Sequence, residues 1–239
     1  MSGSETPLTG GRVTAGVVRI GDTVHRPASG NSAFVRRLLA HLESRGFGGA
    51  PRFLGTDEAG RDMLSFLPGA VPRDLGPHGD GTLAAAAALL RRFHDAAADF
   101  DGLKGRGEVV CHNDWGPANT VFRDGMPSGM IDFDTAAPGS RLWDLGYSAF
   151  VWLDLGNDAY SGEEQVRRLG VFADGYRLAD CTATGIAVHA VARQTALAAW
   201  GRLQGKADMA DWAAAAAAWT ILNVTERLVP TGYGLPAGD

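Results

Sequence analysis

The chain has 239 residues, 45% hydrophobic and 21% charged, with a formal net charge of −5. That composition is ordinary for a soluble globular protein with one large core or two small ones, and an acidic chain is not expected to have nucleic acid as its main partner. No apolar run approaches the ~20 residues of a membrane helix. The first residues, MSGSETPLTGG, lack a charged-then-apolar signal pattern. Two cysteines, Cys111 and Cys181, point to neither a disulfide framework nor a zinc site. The expectation is a cytoplasmic protein with no membrane partner; composition leaves the oligomeric state open.

Taken in chain order, residues 1–11 read as a flexible lead ending in Gly10-Gly11. Residues 17–20 and 23–26 flank Gly21-Asp22 and read as a hairpin. Asn31 or Ser32 is placed to cap a helix running to about Arg45, with Phe34, Leu38, Leu39 and Leu42 on its apolar side. Residues 52–55 and 62–66 read as two further strands around a Glu58-Ala59-Gly60 turn, and Pro68-Gly69 then breaks the chain. Beyond it the sequence turns helical: residues 83–98, 143–155, 162–179, 185–204 and 207–228 are helix candidates. The alanine run Ala213 to Ala218 favours helix, and Trp212 and Trp219 fall seven apart on one face. The expected division is a lobe of residues 1–68 and a second of residues 69–239.

The chemistry concentrates in residues 109–146, which read VVCHNDWGPANTVFRDGMPSGMIDFDTAAPGSRLWDLG. His112, Asp114 and Asn119 stand in a His-x-Asp-x-x-x-x-Asn spacing, followed by Ile131-Asp132-Phe133-Asp134 and then Asp144-Leu145-Gly146. Short apolar runs precede the polar clusters, as strands delivering them to a shared edge would. The set suits phosphoryl transfer: one carboxylate takes a proton from an attacking hydroxyl, while an Asn and a second carboxylate hold magnesium against a triphosphate.

This segment resembles the catalytic core of the aminoglycoside phosphotransferase family, a branch of the kinase-like fold. The whole chain is similar to its short phosphotransferase or trifolitoxin-immunity-like members. The resemblance implies an α+β, two-lobed protein-kinase-like fold with a small β-rich first lobe and a larger helical second lobe. It implies Asp114 as catalytic base, Asn119 and Asp132 as magnesium ligands, and His112 and Asp144 as braces of the catalytic loop. Asp134 takes a place where protein kinases carry Gly and is a candidate for a supporting role. ATP or GTP, with Mg2+, is the implied nucleotide. Its site would draw on Arg26 in place of the usual strand lysine, on Gly10 and Gly11 over the phosphates, and on Ser65 and Leu67 beside the lobe junction. The glutamate that normally pairs with the strand cation should fall near Val35, where Arg36 and Arg37 stand instead. That cation–carboxylate pair is missing or rebuilt, so weak nucleotide binding is expected.

Three functions follow from this pattern: a phosphotransferase acting on a hydroxyl of a small molecule such as an antibiotic, a catalytically weak or inactive kinase-like binding or immunity protein, and a small-metabolite kinase. Residues 1–68 carry 8 Lys/Arg and 6 Asp/Glu (+2), and residues 69–239 carry 14 and 21 (−7). An acidic second half would attract a cationic substrate; a solvated acidic surface is the plainer account.

Overall fold

The computed structural model describes residues 4–8, 16–72, 76–103, 105 and 108–229. Strands β1 (Thr6–Pro7), β2 (Val18–Ile20) and β3 (Thr23–Arg26) precede helix α1 (Ser32–Ser44), and β4 (Phe53–Thr56) and β5 (Asp62–Ser65) follow it. They form one antiparallel sheet in the order β1-β2-β3-β5-β4. The β2–β3 turn needs Gly21, whose φ of 58° lies in the left-handed region. Val35, Leu38, Leu39 and Leu42 are buried on one face of α1 at spacings of three and four residues. Each such side chain removed from water contributes about 1.5–3 kcal/mol. One expectation fails here. Thr6 and Pro7, read as flexible lead, pair with Arg19 and Val18. A two-residue edge strand carries no periodicity to read, and an edge is where a sheet tolerates proline.

The second region is helical, with two small ladders set into it. After α2 (Asp80–Ala96) come β6 (Glu108–Cys111), β7 (Thr120–Arg123), β8 (Met126–Met130) and β9 (Ala137–Ser140). β6 pairs with β9 and β7 with β8, both antiparallel. Helices α3 (Arg141–Leu153), α4 (Gly162–Tyr176), α5 (Ala183–Leu203), α6 (Ala207–Thr220) and α7 (Glu226–Leu228) complete the chain, with a π turn over Ile221–Thr225. Leu83, Leu89, Leu90 and Phe93 of α2 are fully buried in the core. The alanine run of α6 is helical as expected: Ala213, Ala216 and Ala217 face inward, and small side chains let α5 and α6 approach closely. Trp212 and Trp219 do not share one environment. Trp212 is half exposed, its ring centroid 5.0 Å from that of Phe150, whereas Trp219 packs against the core. No helix among the described residues is long and apolar enough to cross a membrane.

The two regions meet closely at Gly69. Its φ is 143°, and a Cβ there would stand 2.4 Å from the Phe122 carbonyl oxygen, so glycine is needed for both backbone conformation and space. The next residue, Ala70, exchanges hydrogen bonds of 2.9 and 2.7 Å with Phe122 of β7. Nearby, the Met130 amide of β8 donates to the Gly49 carbonyl at 2.7 Å.

Candidate active site

The mostly buried strand β6 carries the chain into the loop beginning at His112, and α3 starts where its partner β9 ends. Ser140 caps α3, its hydroxyl accepting from the Trp143 amide at 3.2 Å. Asp144 then lies in the first turn, fully buried. Its carboxylate accepts from the amides of His112 (2.8 Å) and Asn113 (2.8 Å) and bonds His94 Nε2 at 2.9 Å. Burial opposes its ionisation, but the contacts with His94 and His112 outweigh burial and hold the carboxyl below the usual carboxylate range. Burial pushes His94 down despite the Asp144 contact; its Nδ1 meets the Tyr176 hydroxyl at 2.8 Å.

His112 is fully buried, with its ring centroid 4.7 Å from that of Phe133. Its Nε2 meets the Ile131 carbonyl at 3.0 Å while Nδ1 has no partner. Burial also lowers its pKa, so the neutral ring with Nε2–H donating fits the site. Thr135 Oγ1 donates to the His112 carbonyl (2.8 Å), and Asn113 Nδ2 donates to the Thr135 carbonyl (3.0 Å). The two loops, 112–119 and 132–135, are thereby laced together. Each has a left-handed residue, Asn113 (φ 66°) and Asp132 (φ 64°), residue types that tolerate that conformation.

Asp114 projects from the first loop with both carboxylate oxygens engaged. Asn119 Nδ2 donates to its Oδ2 at 3.0 Å and to its backbone carbonyl at 2.7 Å, and the Tyr147 hydroxyl donates to its Oδ1. Burial pushes the Tyr147 phenol far up, so it stays a donor. Each carboxylate oxygen retains a second lone pair for an incoming hydroxyl. Because the Asn119 amide nitrogen is committed to Asp114, its carbonyl oxygen is the atom left for a ligand.

Asp132 and Asp134 lie across the site at the 3-10 turn Phe133–Thr135. Phe133 is buried beside Phe93 and His112 and anchors the turn. Asp132 Oδ1 is buried with no hydrogen-bond partner, Arg26 Nη2 being 3.7 Å away. Burial raises the Asp132 pKa against the pull of Arg26. The unbonded Asp132 oxygen and the Asn119 amide carbonyl are hard-oxygen donors of the kind magnesium takes, carried on segments tied by the Ile131 amide donating to the Asn119 backbone carbonyl at 3.0 Å. Among the described residues no group of three or more His, Cys, Asp or Glu could hold a metal alone.

Arg26 does have a carboxylate partner, and it comes from outside the helix. Its Nη2 pairs with Asp134. The α1 residue near the expected glutamate position, Arg36, instead pairs with Asp62 of β5 (Nη2–Oδ1, 2.6 Å), the residue opposite Arg26 in the β3–β5 register. Asn31, ahead of α1, makes no cap hydrogen bond. Its Nδ2 donates to the carbonyls of Asp134 (2.8 Å) and Ala136 (3.1 Å) instead.

Arg26, His112, Asp114, Asn119, Asp132 and Asp144 thus gather in one place. Ser65 and Leu67 do not bond to that cluster. Ser65 lies at the end of β5 away from Asp62, and its Oγ accepts from the Arg52 amide at 2.8 Å. Both line a small cavity with Leu39, Leu42 and Phe47. Gly10 and Gly11 fall outside the described residues. Tyr147, Arg193 and His94 escaped the sequence reading, and Asn31 entered it only as a helix cap. Tyr147 had a signal, since it lies one helical turn after Asp144 on α3. Arg193, in the middle of a mostly apolar α5, had none.

Comparison with known proteins agrees with this geometry. The model of the phosphotransferase enzyme family matches residues 105–184. The trifolitoxin immunity protein of Rhizobium leguminosarum bv. trifolii is 38% identical over 165 residues, 63% of this chain and 62% of that protein; the chain thus matches less than two thirds of the length of this curated relative. A choline/ethanolamine kinase family protein from Mesorhizobium loti superposes with a TM-score of 0.68 at 17% identity, covering 92% of this chain and 88% of that one. The GDP complex of wild-type aminoglycoside 2'-phosphotransferase-IIIa gives 0.56 at 14% identity, covering 93% and 94%. The chain therefore has the two-lobed kinase-like α+β fold, and its residues 105–184 match the model of the phosphotransferase enzyme family.

Proposed function

We propose that this protein is an ATP- or GTP-dependent, magnesium-dependent phosphotransferase that phosphorylates a hydroxyl of a small molecule. The observation that carries the proposal is the opposition of two sets of groups. Asp114 is oriented by Asn119 and Tyr147 on one side. On the other, Asp132 keeps a buried oxygen with no hydrogen-bond partner. In this reading Asp114 accepts the proton of the acceptor hydroxyl as the acceptor oxygen bonds to the γ-phosphorus. The bond from that phosphorus to the β-bridging oxygen breaks, and the nucleoside diphosphate leaves. Asn119 and Asp132 would hold magnesium, which supplies charge neutralisation at the phosphates. Asp144 and His112 fix the loop, and Arg26, steadied by Asp134, contacts phosphate oxygens. The lobe boundary is placed at Pro68-Gly69, and the compartment is taken as cytoplasmic.

Titration of ATP and GTP with magnesium into the parent and Asp132→Ala proteins tests the first half of this. Phosphate transfer to a panel of hydroxylated antibiotics and metabolites tests the second. Binding by the parent and its loss in a folded Asp132→Ala protein is the expected result. Absence of binding at millimolar nucleotide would refute the enzyme reading. The second reading, a kinase-like immunity or binding protein, would then take its place, and it draws on the 38% identity to an immunity protein. A small-metabolite kinase would use the same site, and the likeness to a choline/ethanolamine kinase family protein keeps alcohols of that size in the panel.

A further inference from the structure

Two aromatic rings on α3 share one cation, and one of the two touches Asp114. Trp143 and Tyr147 are one turn apart on α3, and the Tyr147 hydroxyl touches the Asp114 carboxylate. The Arg193 guanidinium, from α5, lies 4.6 Å from the Trp143 ring centroid and 4.8 Å from that of Tyr147. It is fastened to the loop, donating from Nη2 to the Asn113 carbonyl at 2.6 Å and from Nη1 to Asn113 Oδ1 at 3.4 Å. Open aromatic faces beside a reacting centre attract ammonium groups through the ring quadrupole. Here that attraction is already satisfied by the protein's own fixed cation, and a second cation arriving at the same rings meets a like charge.

The acidic balance of residues 69–239 pulls the other way, but it acts at long range and is screened beyond about 10 Å at 0.1 M salt. Of the acids nearest the site, Asp144 is sealed in the core, Asp134 and Asp132 share Arg26, and Asp114 is held by the neutral donors Asn119 and Tyr147. What Arg193 governs is therefore the ring faces and not the charge of the whole site. Resting on the phosphotransferase reading, we propose that Arg193 sets acceptor specificity at Asp114 by occupying the faces of the Trp143 and Tyr147 rings and excluding ammonium alcohols from them.

A pair of matched probes tests this. Choline and 3,3-dimethylbutan-1-ol share a shape and differ by a quaternary nitrogen replaced with carbon. Each is titrated into the MgADP-loaded parent, Arg193→Gln and Arg193→Lys proteins, followed by tryptophan fluorescence and saturation-transfer NMR. The parent is expected to bind the neutral alcohol at least as tightly as choline. Arg193→Gln uncovers the rings and gains about tenfold or more in choline affinity, with little change for the neutral probe, while Arg193→Lys keeps the exclusion. A parent that prefers choline, or an Arg193→Gln protein with no gain, overturns the proposal. Should Arg193→Gln fail to fold by circular dichroism, the parent's ratio decides, and undetectable choline binding counts in favour. MgATP titration of the parent separates the two readings: binding of MgATP with a preference for choline sinks this inference alone, whereas no MgATP binding sinks the enzyme reading.

Discussion

The two sides of the site are held by different means. On the catalytic-loop side, Asp144 is fully buried and takes two amide hydrogen bonds plus a histidine. On the sheet side, Arg26 rests on Asp134 across the boundary between regions, and the Asp134 side chain is 27% exposed. A buried, multiply bonded charge is bound up with the fold itself, because removing it strands its partners away from water. Arg26 is itself buried, but its pair with the partly exposed Asp134 bonds no backbone of the loop, so it ties less of the fold than Asp144 does, and its main effect is on where the cation sits when a ligand arrives.

This contrast predicts a graded series. Asp144→Ala should have the largest effect, about 3–5 kcal/mol of stability, a large share of a typical domain's total. Urea unfolding measures it, and a shift under 1 kcal/mol would mean the loop stands without its anchor. Asp114→Asn should leave the unfolding midpoint near that of the parent while lowering turnover by about two to four orders of magnitude. Turnover within a few-fold of the parent would remove Asp114 from the mechanism. Arg26→Ala should weaken MgATP binding about tenfold, the scale of one charge-assisted hydrogen bond, with thermal stability nearly unchanged. Asp134→Asn should give part of that loss, and the double variant should lose less than the sum of the singles; strict additivity would show that Asp134 does not set the position of Arg26.

The smallest expected effect is on pH dependence. His94 titrates below its ordinary 6.5 because burial disfavours the imidazolium, and Asp144 lies below the carboxylate range. A depressed folded-state pKa gives stability that is complete above the unfolded value and declines as pH falls. For His94 the decline begins below about pH 6.5; for Asp144 it begins only in the carboxylate range. Denaturation midpoints between pH 8 and 5 should fall modestly in the parent, and less in His94→Gln.

What could be read from residues alone divides along the same line. The spacing of His112, Asp114 and Asn119 is local, so the loop that carries them was legible, as were the hairpin at Gly21 and the main helices with their apolar stripes. The partner of Arg26 was not. Asp134 lies 108 residues away, and no periodicity marks a pair whose members meet only when sheet and loop are assembled. Strand β9, Ala-Pro-Gly-Ser, has weak strand character of its own and exists through its ladder with β6. Tyr147 could have been found from one helical turn; Arg193, eighty residues beyond its contact Asn113, could not.

The junction has a mechanical consequence. Next to Gly69, Ala70 is stapled to Phe122, as Gly49 is to Met130 and Asn31 to the turn beyond Asp132. The segments before and after α1 are therefore both moored to the second region. In any opening of the cleft, α1 travels as cargo of that larger body. A tilt of the five-stranded sheet against that body would have to open the pairs Arg26–Asp134 and Arg36–Asp62 and lift Leu64 from the shared core.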